Sequence, residues 1–183
     1  MKVIIFAAVL QAILLTGCDA KSSENVSSTE QVKYAVTPVQ VDANFSLSIP
    51  VGYEKIDEEE AEKKFGIRHV WVSDDDSTIM LSWVPSYAIK DNKLAGFVNL
   101  MISQLEENFT SEGGIKFIRG KTDGRTSYLT PSDFTDIESK KSKAKMLIIS
   151  SDDKYYAILV MSPKYSSKYH QVPDIVFKSI KIQ

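Results

Sequence analysis

The sequence predicts an α+β domain: an antiparallel sheet with a long helix and a C-terminal helix packed on it. Three observations carry this expectation. Short segments of period-two alternation, bounded by Gly, Pro, Asn and Ser, recur along the chain as antiparallel strands do. The stretch "LAGFVNLMISQLEENF" places Leu94, Phe97, Val98, Met101, Leu105 and Phe109 at spacings of three and four, which gives one apolar helical stripe. Two strongly apolar runs, "AKMLIIS" and "KYYAILVMS", are joined by Ser150 to Asp153 and read as a hairpin at the sheet centre, covered on both faces.

The chain begins with Met1-Lys2 and an apolar run from Val3 to Leu15 broken only by Gln11. A positive start, a short apolar core and a small-residue ending are the parts of a bacterial export signal. The run is too short for a membrane span, which needs about 20 apolar residues. It closes on "LTGCD", Leu15 to Asp19, and this stretch resembles the lipobox of bacterial lipoproteins. The resemblance implies cleavage after Gly17 and a diacylglyceryl thioether on Cys18, usually with acylation of the new amino terminus. Two or more acyl chains hold a protein durably where one holds it marginally. Asp19 follows the cysteine directly, and in enteric-type lipoproteins an aspartate at that place resembles the signal for inner-membrane retention.

Without residues 1–17 the chain loses one positive charge, Lys2, and its net charge moves from −2 to −3. Nucleic-acid binding calls for a clear basic surplus, so that class is excluded. Cys18 is the single cysteine, and once lipidated it leaves neither a disulfide nor a thiol catalyst. The fold must therefore rest on a hydrophobic core, and the chain is long enough for one. Three regions are expected: a signal peptide over 1–17, the lipidated cysteine with a flexible Ser-rich tether over 18–42, and a folded domain over 43–183. Within the tether, Tyr34-Ala35-Val36 is apolar enough to pack on the domain or join a sheet edge.

Along the domain, "NFSLSIP" alternates Phe45, Leu47 and Ile49 against polar neighbours and reads as a half-buried strand. Asp57 to Gly66 reads as a short helix, with acids first, lysines last and glycine closing it. Val70-Trp71-Val72 and Ile79 to Val84 read as a hairpin turned by Ser73 to Ser77, with Trp71 and Trp83 able to pair across it. After the long helix, which Gly113-Gly114 is expected to stop, "IKFIRG" and "RTSYLTPSDFTDI" flank a turn at Gly124. In the last segment Tyr165, Tyr169, Val172 and Val176 fall on one helical face, with a break before a second helical piece begun by Pro173.

The leader, the tether, "FSLSIPVGY", "HVWVSDDD", the long helix, "KMLIISSDDKYYAILVMSP" and the ending "VFKSIKIQ" together resemble the DcrB family of envelope lipoproteins. That family belongs to the group with the Mog1/PsbP-like fold, an α/β/α sandwich. The resemblance implies a membrane-anchored protein facing the periplasm, linked in some members to phage adsorption or DNA entry and to envelope homeostasis. It carries no catalytic signature and no cofactor beyond the lipid on Cys18. Cytoplasmic relatives of the fold shelter hydrophobic segments of secreted effectors, a role that the export signal argues against for this chain.

The residues that carry chemistry are few. His69 lies on a strand and His170 in the terminal segment, and neither belongs to a metal, phosphate-loop or nucleophile-elbow motif. Asp74-Asp75-Asp76 lacks the alternating ligand spacing of a calcium loop and reads as a solvated turn. Lys140, Lys141, Lys143 and Lys145 form the one basic cluster, either a solvated loop or an anionic-lipid contact. Tyr155, Tyr156, Tyr165 and Tyr169 are structural aromatics or, with one of the adjacent pair turned outward, a protein-binding surface. The expected function is a non-enzymatic binding or scaffold module, held to the membrane by lipid and contacting another envelope protein. An immunity lipoprotein that neutralises an exported antibacterial toxin is the alternative. A third class, enzyme or small-ligand binder, would need a deep polar pocket with convergent ionisable groups.

Overall fold

A computed structural model of the chain describes residues 34–137, 141–166 and 171–183. Cys18, Asp19, Lys140, Tyr169 and His170 lie outside the described residues. β1 (Val36–Asp42) is the first element, and it corrects the expected tether, whose last seven residues are a strand. It pairs antiparallel with β2 (Phe45–Pro50), whose Phe45, Leu47 and Ile49 point inward as the alternation requires. Pro38 removes a ladder donor, a loss tolerated at a sheet edge, and β1 is an edge.

A short strand, β3 (Tyr53–Lys55), leads into α1 (Glu58–Phe65). The Asp57 carboxylate accepts the N–H groups of Glu59 and Glu60, and Gly66 closes the helix at φ 67°, where a side chain would be strained. Ala61 and Phe65, one turn apart, are the buried face. β4 (His69–Ser73) and β5 (Thr78–Pro85) form the expected hairpin. Two short 3-10 turns then lead to α2 (Leu94–Glu106), which buries Phe97, Val98, Met101 and Leu105.

The helix ends before β6 (Phe109–Thr110), so Gly113 and Gly114 form a turn beyond that strand rather than the expected helix stop. β7 (Ile118–Thr122) and β8 (Arg125–Leu129) are joined by Asp123 and Gly124, both at positive φ as a two-residue hairpin turn demands. β9 (Phe134–Asp136), β10 (Ser142–Ser150) and β11 (Lys154–Pro163) follow. α3 (Val172–Lys178) has Pro173 in its first turn, where no N–H is needed. The chain closes on β12 (Lys181–Ile182), which pairs with β2; the expected terminal helix stops short of it.

The large sheet runs β3-β4-β5-β11-β10-β8-β7, with β9 paired to β10 and β6 to β9, and every pairing is antiparallel. The fold is thus α+β, with the β10–β11 hairpin at the sheet centre as its composition required. One face carries α1 and α2 over Met80, Ile148, Ala157 and Leu159. The other carries α3 with the small sheet β1-β2-β12 over Ile79, Leu81, Leu147, Ile149, Ile158 and Val160. The C-terminal helix therefore supplies only part of that second layer, and strands supply the rest.

Candidate functional site

Alternation along β7 and β8 decides what their two faces offer. Leu129 stands opposite Leu147 and Ser127 opposite Ile149, so Ser127 and Leu129 share the α3 side of the sheet. Ile118, Gly120 and Thr122 pair with Leu129, Ser127 and Arg125 and lie on that same side. Arg119 and Lys121 lie on the other. On that side α3 and the β7–β8 hairpin face each other across a gap.

The gap is a groove of about 690 Å³ whose lining includes Ile118, Gly120, Ser127, Leu129, Leu147, Phe177 and Ile180. Ile118 is 59% exposed and Leu129 38%, large fractions for aliphatic side chains on a sheet face. A Cβ at Gly120 would meet only the Ser127 hydroxyl, at 3.9 Å, so the missing side chain is open floor rather than a steric necessity. At the hairpin end Asp123 accepts the Ile182 N–H at 2.7 Å and pairs with Lys181 at 3.4 Å, which fastens β7–β8 to β12. The Ile182 N–H is the chief cause holding the Asp123 carboxyl below its ordinary value. Lys178 pairs with Asp174 at 2.8 Å on the α3 rim. The site is an apolar trough with a compensated charged rim, a surface suited to holding an apolar segment.

Of the tyrosines expected to share a binding surface, the three among the described residues differ in exposure. Tyr155 and Tyr156 alternate on a central strand, and since both sheet faces are covered, both are buried, 6% and 0% exposed. Tyr155 donates to the Asn92 carbonyl and lies 5.8 Å from the Phe97 ring. Tyr156 stacks on Phe45 at 4.1 Å and donates to Asp42 at 2.8 Å; burial, then the Asp42 carboxylate, push its hydroxyl upward in pKa. Of these tyrosines, among the described residues, Tyr165 is the exposed one, at 76%. The reading in which one of the adjacent pair faces solvent is corrected: the strand is central and covered on both faces, as its apolar composition implied, and that leaves neither tyrosine at the surface.

Lys143 and Lys145 alternate on β10 and share Asp133, at 3.8 and 3.7 Å, so part of the basic cluster is internally compensated. Lys141 is exposed beside them, its carbonyl accepting the Lys164 N–H. His69 sits 3.8 Å from Glu58, and burial is the largest cause lowering its pKa. Asp75 accepts from the Ser73 hydroxyl, from Ser166 Oγ at 2.7 Å and from the Ser77 N–H at 3.2 Å. Burial works to raise its carboxyl, but those donors outweigh it and lower the pKa to about 2. Trp71 and Trp83 do not pair: Trp71 opposes Ile79, while Trp83 opposes Tyr156 and lies under Lys154 Nζ at 4.5 Å. Among the described residues no group of three or more His, Cys, Asp or Glu could hold a metal ion, and no helix is long and apolar enough to cross a membrane.

The groove residues Ile118, Leu129, Phe177 and Ile180 carry no motif that singles them out in the sequence. The available signal was local: an apolar residue at each end of a hairpin already marked by Gly120 and Gly124. That α3 flanks this hairpin is a tertiary fact.

No protein-family model matches the chain, and no curated protein matches its sequence. Solved structures do. The solution structure of cyanobacterial PsbP (CyanoP) from Synechocystis sp. PCC 6803 aligns at 14% identity over 86% of this chain and 99% of that one, with a TM-score of 0.55. LpqN, described as involved in cell envelope biogenesis of Mycobacterium tuberculosis, aligns at 14% identity over 82% and 92%, also with a TM-score of 0.55. Mog1 aligns more loosely, at 10% identity over 79% and 86%, with a TM-score of 0.42. The chain shares the PsbP-like fold.

Proposed function

We propose that this chain is a lipid-anchored, non-enzymatic binding module of the bacterial envelope, of the DcrB type, which holds another envelope protein in the groove between β7 and α3. Its anchor is the lipid on Cys18, it needs no other cofactor, and Asp19 keeps it on the periplasmic side of the inner membrane. The observation that carries the reading is the 690 Å³ groove with exposed Ile118 and Leu129 on its floor. Apolar surface held open on a strand face is characteristic of a contact surface. "LTGCD" supports the anchor, and LpqN, an envelope-biogenesis protein of the same fold, supports the setting.

Two experiments test the parts separately. A photo-crosslinking residue at Leu129, in the full chain in intact envelopes, should give one defined adduct, and the same residue at exposed Tyr165 should not. Equal labelling at both positions, or none at Leu129, refutes the groove as the binding site. For the anchor, Cys18→Ala should leave the precursor uncleaved and unlabelled by fatty acid, and Asp19→Ser should move the protein to the outer-membrane fraction. Normal labelling of the first variant overturns the lipid, and an unchanged distribution of the second overturns the sorting assignment.

A further inference from the structure

Resting on that reading of the groove, we propose that its occupant is an extended segment that adds as a strand to the free edge of β7. Alternate residues of the segment are apolar and enter the groove, and those between are acidic and face Arg119 and Lys121. Among the described residues β7 pairs with β8 and with no other strand, so its outer edge is open. The two-residue turn at Asp123-Gly124 sets the hydrogen-bonding phase of the hairpin. Thr122 and Arg125 exchange bonds across it, then Gly120 and Ser127, then Ile118 and Leu129. The N–H and C=O groups of Arg119 and Lys121 therefore point outward along the edge, where a further strand would take them.

The side chains complete the specification. On the groove side an added strand would meet Ile118, the bare Gly120 and Thr122, with Leu129 and Phe177 behind them. Glycine in a strand without positive φ and with room for a Cβ marks a place where another chain comes close. On the opposite side it would meet Arg119 and Lys121, both exposed and without an ion pair among the described residues. Lys178 and Lys181 already have Asp174 and Asp123, so the uncompensated charge at this edge is positive.

A second copy of the chain fits poorly. Two β7 edges paired antiparallel about Gly120 would set Arg119 against Lys121 in both directions, and like charges directly opposite destabilise a pair. An acidic partner strand turns the same two residues into favourable cross-strand neighbours.

The test uses the full chain in detergent and three acetylated nine-residue peptides: alternating Val and Glu, alternating Val and Lys, and a helical amphipathic peptide with as many glutamates as the first. Two charge pairs reversed in sign predict about tenfold tighter binding of the Val–Glu peptide than of the Val–Lys peptide. The Arg119→Glu/Lys121→Glu double variant, altered only at exposed positions, should invert that preference. Amide exchange at Arg119 and Lys121 should slow on binding, as their N–H groups enter a ladder with the added strand. Gly120→Val, which the backbone accommodates, should abolish binding by filling the floor. Equal affinity for the two alternating peptides, preference for the helix, or unprotected amides at Arg119 and Lys121 overturns the strand proposal. If Leu129 still crosslinks one partner in those cases, the groove reading stands; if it does not, both fall.

Discussion

Asp75 is a carboxylate with hydroxyl and amide donors and no ion pair among the described residues, and its charge is held entirely by Ser73, Ser77 and Ser166. Its folded-state pKa of about 2 lies below the ordinary 3.8, so it stabilises the fold above that value and the contribution is lost as pH falls toward 2. Asp42 is shifted the same way: burial opposes the shift, but the Lys154 ammonium, the Asn44 N–H and the Tyr156 hydroxyl prevail. His69 is lowered mainly by burial, so the unfolded chain takes up its proton first as pH drops through 6.5, and that too favours unfolding in acid. All three groups act in one direction. Thermal midpoints should fall steadily from pH 7 to pH 3, and Asp75→Ala should flatten the limb below pH 4. The variant should also lose about 1–3 kcal/mol at neutral pH, because two hydroxyls and a backbone N–H lose their acceptor. An acid limb unchanged in Asp75→Ala would show that the carboxylate is not the titrating group.

At the scale of elements, period and capping were legible while pairing was not. Phe45, Leu47 and Ile49 are buried in β2 as their alternation predicts, and Asp57 and Gly66 bound α1 as their chemistry predicts. Only the start of β1 was legible, as the apolar Tyr34-Ala35-Val36 expected at a sheet edge; the rest escaped because its residues are largely exposed and include Pro38, features of a loop as much as of a sheet edge. The tryptophan pair failed for a related reason. Alternation puts Trp71 and Trp83 on one face, but it does not say where β4 ends. β4 pairs with β5 only as far as His69 opposite Leu81, so Trp83 runs on beside β11 instead. The two indoles should therefore respond very differently. Trp71, 3% exposed in the core, should cost about 3–5 kcal/mol as Trp71→Ala. Trp83, 41% exposed and covering the Lys154 ammonium, should cost about 1 kcal/mol as Trp83→Ala. Urea unfolding of the two variants measures both, and equal losses would mean the indoles share one contact after all.

At the scale of the whole molecule, the two sheets are held together by contacts far apart in sequence, which is why neither the second layer nor the groove could be read locally. The groove draws on residues 118–131, Leu147 and 174–181. The other tie is Asp42 at the end of β1, which pairs with Lys154 at 2.8 Å and accepts from Tyr156, itself stacked on Phe45 of β2. Asp42 and Lys154 are about one-fifth exposed, so each depends on the other for solvation. β1 thus belongs to the domain, and the functional boundary lies before Val36 rather than after Asp42. Two truncations separate these positions. Removing residues 1–33 leaves every described contact intact and should shift the thermal midpoint by no more than about 2 °C. Removing residues 1–42 bares the edge of β2, uncovers the part of the second core on which Val39 and Val41 pack, and strands the Lys154 ammonium. A loss of about 3 kcal/mol for the broken pair alone corresponds to roughly 6–12 °C in a domain of this size. Asp42→Ala in the full chain should reproduce the pair's share of the drop and no more, since β1 and its ladder remain. If the longer truncation melts with the shorter one, β1 adds nothing to the domain and the boundary returns to residue 43.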